Sequence, residues 1–144
     1  MMRLSLDAIR TQLKAIAPSI PIYVKPVASG FRKPAFYVRL MEGTYEETHR
    51  TDYRMQANWE LIYYPKEDEA GQADPIDMLE VADRMHQHFM ALPILKGSDG
   101  IEFERTSLRG VIRSGEFVLQ LVLDVELEQA KDVFDVMKEL YIEQ

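Results

Sequence analysis

Residues 117–127 carry the most regular pattern in the chain, because apolar side chains occupy every second position without a break. The apolar positions are Phe117, Leu119, Leu121, Leu123, Val125 and Leu127. A period of two is typical of a β-strand that buries one face. Such a strand needs neighbouring strands and an apolar layer over its buried face. The chain must therefore contain a sheet that is covered on at least one side.

Other segments of the chain supply the partner strands. Ile101, Phe103 and Arg105 alternate with Glu102 and Glu104, which predicts a strand that runs toward Arg113. Ser114-Gly115 then predicts a tight turn into the long strand. Residues 36–41 and 53–63 predict a long hairpin with a packed base, whose tip at residues 43–52 is polar and solvated. A short strand at residues 20–24 contains Pro21, which favours a position at the edge of the sheet.

Two amphipathic helices are predicted. The first covers residues 5–17, with Ser5 as its N-cap and Pro18 after its last turn. The second opens with Asp74 at the N-cap and Pro75 at the first helical position, and it ends before Pro93. Its predicted buried face consists of Met78, Ala82, Met85, Phe89 and Leu92.

The order of these elements predicts an α+β fold. We expect a mainly antiparallel twisted sheet with two helices packed on one face and a projecting β-hairpin. The 144 residues contain no internal repeat and no Gly/Ser linker, so residues 1–144 are predicted to form a single domain.

Charge and composition narrow the classes of function. The net charge of −7 opposes attraction to a phosphate backbone, so direct nucleic-acid recognition is not expected. Bases outnumber acids in residues 25–54, whereas acids dominate from Asp124 onward, so these regions could pair within one chain or between copies. The chain has no cysteine, no apolar stretch that would span a membrane and no signal-peptide pattern, which predicts a cytoplasmic location.

The histidines do not form a metal-site pattern. His86 and His88 are two positions apart, so on a helix their rings point about 200° apart and cannot share an ion. A metalloprotease helix needs histidines four positions apart with a glutamate between them, and that spacing is absent. We therefore expect structural roles for both residues and no bound metal.

Catalytic and cofactor motifs are also missing from the sequence. The acids of residues 46–47 and 67–69, together with Glu102 and Glu104, lie in polar segments or on an outward strand face, which favours solvated charge over acid–base catalysis. No phosphate-binding loop, dinucleotide fingerprint or nucleophile elbow occurs. The sequence thus predicts neither an enzyme nor a cofactor site.

What remains is a set of features suited to contacts with other protein chains. They are the polar hairpin tip at residues 43–52, the long strand, an acidic loop at residues 67–74 and an apolar, acidic tail at residues 134–142. In this order, the features resemble those of the tail terminator, or tail-completion, proteins of phages and phage-like particles with contractile tails. The segments that carry the resemblance read Ile-Pro-Ile-Tyr, Arg-Lys-Pro-Ala-Phe-Tyr-Val, Leu-Ile-Tyr-Tyr-Pro, Asp-Pro-Ile-Asp and Val-Met-Lys-Glu-Leu.

The resemblance implies a homo-oligomeric ring, usually a hexamer, on the head-proximal end of the tail tube. Such a ring stops the growth of tube and sheath and offers a docking surface to the neck or connector, with DNA passing through its lumen. By position in the fold, the resemblance assigns contact with the tube or its lumen to the hairpin. It assigns contact between subunits to the apolar, acidic segment at residues 134–142. The hairpin residues are Tyr45, Glu46, Glu47, His49 and Arg50, and the tail residues are Phe134, Met137, Leu140 and Tyr141. The expected location is the neck region of a virion tail, assembled in the bacterial cytoplasm.

Two alternatives remain open at the sequence level. One is another neck component, such as a head-closure or adaptor protein. The other is a small-ligand-binding regulatory domain that uses the open face of the sheet, with Trp59, Tyr63 and Arg39 as a possible cluster.

Overall fold

Residues 1–48 and 52–127 are the part of the chain that the computed structural model describes. This part contains helices α1 (Met2–Ile16) and α2 (Pro75–Met90). Its strands are β1 (Ile22–Tyr23), β2 (Ala35–Glu47), β3 (Tyr53–Tyr64), β4 (Ile94–Lys96), β5 (Glu102–Arg113) and β6 (Glu116–Leu127). They form one sheet in the order β1-β2-β3-β6-β5-β4, antiparallel except for the β1–β2 pair. The predicted α+β class is confirmed.

Both helices cover the same face of the sheet. The predicted alternation of β6 is confirmed, since Leu119, Leu121 and Leu123 are fully buried beneath the helices. β3 contributes a matching row to the same core: Met55, Ala57, Trp59, Leu61 and Tyr63. This apolar layer is the main source of stability, because each large side chain that it buries contributes roughly 1.5–3 kcal/mol.

Helix α2 begins as the sequence predicts. The Asp74 side chain accepts hydrogen bonds from the backbone N–H groups of Ile76 and Asp77, and Pro75 occupies the first helical position. The residues Met78, Val81, Ala82, Met85 and Phe89 are buried, and Leu92 packs against the core at its edge. The local capping signals and the apolar stripe together fix both the start and the rotation of this helix.

Helix α1 begins earlier than predicted, and the assignment of Ser5 as its N-cap is wrong. The helix starts at Met2, so Ser5 lies inside it and is fully buried. Its hydroxyl donates to the Met2 carbonyl (2.6 Å) and accepts a hydrogen bond from the Trp59 indole Nε1 (3.0 Å). A core partner therefore holds Ser5 in the helix, and local sequence does not reveal that partner.

The two edges of the sheet are only partly covered by short strands. β1 pairs with Phe36 and Tyr37 of β2, which agrees with the predicted edge position of this segment. At the other edge, β4 pairs with Glu102, Phe103 and Glu104 of β5. β4 was not predicted, because three residues between Pro93 and Gly97 are too few to display a period. The hairpin of β2 and β3 continues the sheet, since β6 accompanies β3 as far as the Tyr53–Leu127 pair.

Candidate assembly surfaces

The far end of the hairpin gathers three of the predicted contact residues. Tyr45, Glu46 and Glu47 end β2, opposite Met55, Arg54 and Tyr53 of β3. Tyr45 is 58% exposed, and its ring centroid lies 5.9 Å from that of Tyr53. His49 and Arg50 lie outside the described residues. The described part of this end is therefore an exposed aromatic and acidic surface.

Helix α1 supports the hairpin from the covered side. A Cβ built on Gly43 would lie 2.5 Å from the Met2 Cε atom, so the first turn of α1 rests directly on the β2 backbone. Met55, on the neighbouring strand, is completely buried. The alternation predicted for β2 stops at Leu40, because the pairing with β3 shifts by one residue between Leu40 and Glu42. Leu40 and Met41 are exposed beside this irregularity.

The face of the sheet opposite the helices is called the open face here, and a buried carboxylate lies at its middle. Glu60 on β3 is only 1% exposed. Its Oε1 atom accepts hydrogen bonds from Arg39 Nε (2.9 Å) and from the Arg39 terminal nitrogen (2.6 Å). Its Oε2 atom accepts from Gln120 Nε2 (3.3 Å). The Glu60 network (Arg39, Glu60 and Gln120) thus joins β2, β3 and β6 in one cross-strand row.

A second network of the same composition lies nearer the hairpin end. Asp124 on β6 is 7% exposed, and its two carboxylate oxygens accept from Nε and a terminal nitrogen of Arg54. Gln56 Nε2 donates to the same carboxylate over 3.1 Å. Hydrogen bonding from Arg54 holds the pKa of Asp124 below its usual range, against the opposing effect of burial. The Asp124 network (Arg54, Gln56 and Asp124) therefore keeps its acid ionised at neutral pH.

In both networks the arginine side chain is partly exposed, whereas the acidic side chain is buried. The Arg39 side chain is 43% exposed while that of Glu60 is 2%, and the Arg54 side chain is 42% exposed while that of Asp124 is 8%. A guanidinium binds a carboxylate through two parallel donors and leaves its outer donors available to water or to a partner. This part of the open face is thus polar, and the arginine side chains form the exposed part of each network.

An aromatic group covers the other end of the open face. Phe31, from the loop between β1 and β2, lies with its ring centroid 4.9 Å from Tyr23 and 5.0 Å from both Tyr37 and Tyr64. Burial raises the pKa of Tyr64, so its hydroxyl stays protonated. Phe31 lies beside Arg32 and Lys33 in this loop, where no periodic pattern indicates that its ring is packed. The sequence signal that could have indicated this group is the pair of tyrosines, Tyr23 and Tyr37, on the two strands that the loop joins.

The proposed ligand cluster of Trp59, Tyr63 and Arg39 does not form. Trp59 and Tyr63 are buried beneath the helices, whereas Arg39 lies on the open face. Trp59 donates to Ser5, and the Tyr63 hydroxyl donates to Asp77 Oδ2 over 2.6 Å. Burial, reinforced by this bond to Asp77, raises the pKa of Tyr63. The interpretation that grouped these residues is wrong, because Arg39 lies opposite Glu60, whose side chain points to the other face of the sheet from its neighbour Trp59.

Several histidine and acidic residues that the sequence analysis considered as metal-binding or catalytic residues make contacts within the fold. His88 Nε2 lies 2.7 Å from Gln12 Oε1 and links the two helices, while His86 is exposed. In the acidic loop, Asp68 accepts from the backbone N–H groups of Ala70 and Gln72, and Glu67 lies 3.4 Å from Lys33. Within residues 1–48 and 52–127, no three His, Asp or Glu side chains are grouped to hold a metal ion. No helix in the same part of the chain is long and apolar enough to cross a bilayer.

The predicted contact residues of the apolar, acidic segment at residues 134–142 lie outside the described part of the chain. Phe134, Met137, Leu140 and Tyr141, to which subunit contact was assigned, are among them. The exposed apolar residues of α2 escaped the sequence analysis: Ile76, Leu79 and Met90 are all about half exposed or more. Their positions lie outside the stripe of α2 that faces the core. The helical period of the sequence could therefore have identified them as exposed.

The described residues thus define a small α+β domain with charged, hydrogen-bonded surfaces. A sequence model of the phage tail terminator proteins matches residues 6–135, and the chain belongs to this family. The predicted family resemblance is confirmed. The chain is accordingly a structural component of a phage tail. A search of curated proteins finds no match to the chain.

Proposed function

We propose that this chain forms a ring, a hexamer by analogy with the resemblance described above, on the head-proximal end of a contractile tail tube. The ring ends the growth of tube and sheath and offers its other side to the neck or connector. It assembles in the host cytoplasm and needs no catalysis, because occupying the last set of subunit-binding surfaces is enough to stop a polymer. The match to the terminator family over residues 6–135 is the observation that carries this proposal.

The surfaces described above support specific roles within that ring. The exposed end of the hairpin, with Tyr45, Glu46 and Glu47, contacts the tube, together with His49 and Arg50. The tail residues Phe134, Met137, Leu140 and Tyr141 contact a neighbouring subunit. A ring of identical subunits requires heterologous contacts, in which one patch meets a different patch on the next copy.

Native mass spectrometry across a concentration series tests ring formation directly. It is combined with negative-stain images of the protein added to tail tubes from the same phage. Closed rings, or extra density at one end of every tube, are the expected results. If the protein instead binds only to capsids at their portal, it is another neck component. If no ring forms and no tube end is decorated, the terminator proposal is wrong.

The role of the hairpin is tested by reversing its charge. The double variant Glu46→Lys with Glu47→Lys should weaken tube binding by about tenfold or more, because a change of four charge units disrupts the complementarity of a contact surface, and native mass spectrometry of the same variant shows whether ring formation is lost instead. The matched control is Glu69→Lys with Asp99→Lys, which makes the same change in charge at two exposed turn residues. Equal binding by both double variants would remove the hairpin from the tube contact.

A further inference from the structure

Both edges of the sheet are open over long stretches. Beyond its short pairing with β1, the outer side of β2 at residues 38–47 has no partner strand among the described residues. At the other edge, the pairing with β4 continues to Arg105, whose backbone N–H donates to the Pro93 carbonyl (2.8 Å). Beyond it, the outer side of β5 at residues 106–113 is likewise open within residues 1–48 and 52–127. An open edge presents unpaired N–H and C=O groups that can pair with another strand, and proteins usually shorten or block such edges. Here the two open stretches are of nearly equal length, and neither contains a proline.

The two edges carry opposite charge. The open stretch of β2 contains Glu42, Glu46 and Glu47 against a single base, Arg39. The open stretch of β5 contains Arg109 and Arg113 and no acid. Two β5 edges would therefore repel each other, as would the acidic ends of two β2 edges, whereas a β2 edge and a β5 edge attract. The charge pattern favours a head-to-tail contact over a two-fold dimer.

Apolar side chains reinforce this complementarity. Leu40 and Met41 on β2 are 43% and 50% exposed, and Ile112 on β5 is 50% exposed. Strand pairing across the edges would bring such side chains beside those of the neighbouring strand, where cross-strand contacts stabilise a sheet. Their exposure in the single chain is thereby accounted for.

Strand direction and the short edge strands fit the same contact. β2 and β5 run in opposite directions in the sheet, since each step through β3 and β6 is antiparallel. Rotation about an axis that runs along the strands preserves these directions, so β5 of one copy meets β2 of the next as an antiparallel pair. β1 covers the end of β2 near Phe36, and β4 covers the opposite end of the sheet near Glu104. Pairing over the whole of both open stretches requires the strands to tilt from the ring axis, as in a closed β-barrel, and this tilt leaves room for both short strands.

We propose that the ring closes by strand pairing between copies, with the open stretch of β2 in one subunit bound to the open stretch of β5 in the next. The sheets of neighbouring subunits then become continuous around the ring, and each subunit uses both of its edges. This inference rests on the proposed ring function and specifies the interface that forms it. The contact assigned to the tail residues adds to this pairing and does not replace it.

Disulfide cross-linking tests the pairing, because the natural chain contains no cysteine. Thr44→Cys is combined with a cysteine at each of residues 106–113 in turn. The Cα atoms of opposed residues in antiparallel strands are about 4.5–5.5 Å apart, within the range that a disulfide bridges. Under mild oxidation of the protein, free and on tail tubes, one or two of these double variants should give a ladder of covalent oligomers that collapses on reduction.

The controls separate this inference from the proposed function. Thr44→Cys combined with Ser98→Cys, in an exposed turn, should give no ladder. Circular dichroism identifies any double variant that fails to fold, and the remaining positions still sample the whole edge. If rings or decorated tube ends are present but no position cross-links between chains, edge pairing is wrong and the ring function stands. If only bonds within one chain form, the edges are not the subunit interface.

Discussion

The two faces of the central sheet are stabilised in different ways. The covered face is a continuous apolar layer in which every second residue of β3 and β6 packs beneath the helices. The open face instead combines the aromatic group around Phe31 with two sets of specific hydrogen bonds around buried acids, Glu60 and Asp124. Hydrophobic burial is non-directional, so the covered face should tolerate changes that keep its volume. The open face should tolerate few, because a buried charge is costly once its partner is lost.

The largest expected effect comes from the covered face. Leu121→Ala should lower the free energy of unfolding by about 2–5 kcal/mol, because Leu121 is fully buried and its removal leaves a cavity. Urea denaturation measures this loss. Val122→Ala, one residue along the strand and on the partly exposed open face, is the matched control and should cost less. A loss under about 0.5 kcal/mol for Leu121→Ala would contradict the assignment of the two faces.

The next largest effect is expected at the Glu60 network. Arg39→Met removes both donors to Glu60 Oε1 and should destabilise the protein by about 1–3 kcal/mol, since hydrogen bonds to charged groups are worth this much. Adding Glu60→Gln to Arg39→Met removes the charge of the acid that has lost its arginine partner. The double variant should therefore recover part of the lost free energy of unfolding. Unfolding of the two single variants and the double variant forms a double-mutant cycle. Strictly additive losses would show that the pair is not coupled.

Much of the covered face could be predicted from sequence, and little of the open face could. The β6 and α2 patterns were readable because burial on one side imposes a period of two or 3.6 on local sequence. Glu60 and Asp124 lie on the open face, opposite the apolar rows of β3 and β6. Their burial was not foreseen, because their arginine partners Arg39 and Arg54 lie on other strands. Only the strand register brings those residues together.

Ser5 shows the same limit on the covered face. A serine before an apolar stripe is a common N-cap, yet here it lies inside the helix as the hydrogen-bond acceptor of Trp59. Ser5→Ala should therefore cost about 1–2 kcal/mol by leaving a buried indole N–H without its partner. Trp59 is the single tryptophan, so its fluorescence emission reports the change directly. Ser98→Ala, at an exposed turn, is the control, and an unchanged emission spectrum in Ser5→Ala would contradict the contact.

The smallest expected effect is a difference between the two faces in how their contribution to the free energy of unfolding depends on pH. Because Arg54 lowers the pKa of Asp124 in the folded protein, the unfolded chain binds a proton at this residue more readily than the folded one. The stabilisation is therefore complete above the unfolded pKa, about 3.9, and is lost as the pH falls through the lower folded value. The difference in unfolding free energy between the natural protein and Asp124→Asn should accordingly be constant near neutral pH and shrink below about pH 4.

Asp99→Asn provides the comparison that makes this result specific to the open face. Asp99 lies in an exposed turn, so Asp99→Asn removes the same charge outside the Asp124 network. Leu121→Ala should lower the whole curve without changing its shape, since an apolar contact does not titrate. If Asp124→Asn also shifts the curve uniformly, Arg54 does not stabilise the ionised acid, and the open face is held by packing in the same way as the covered one.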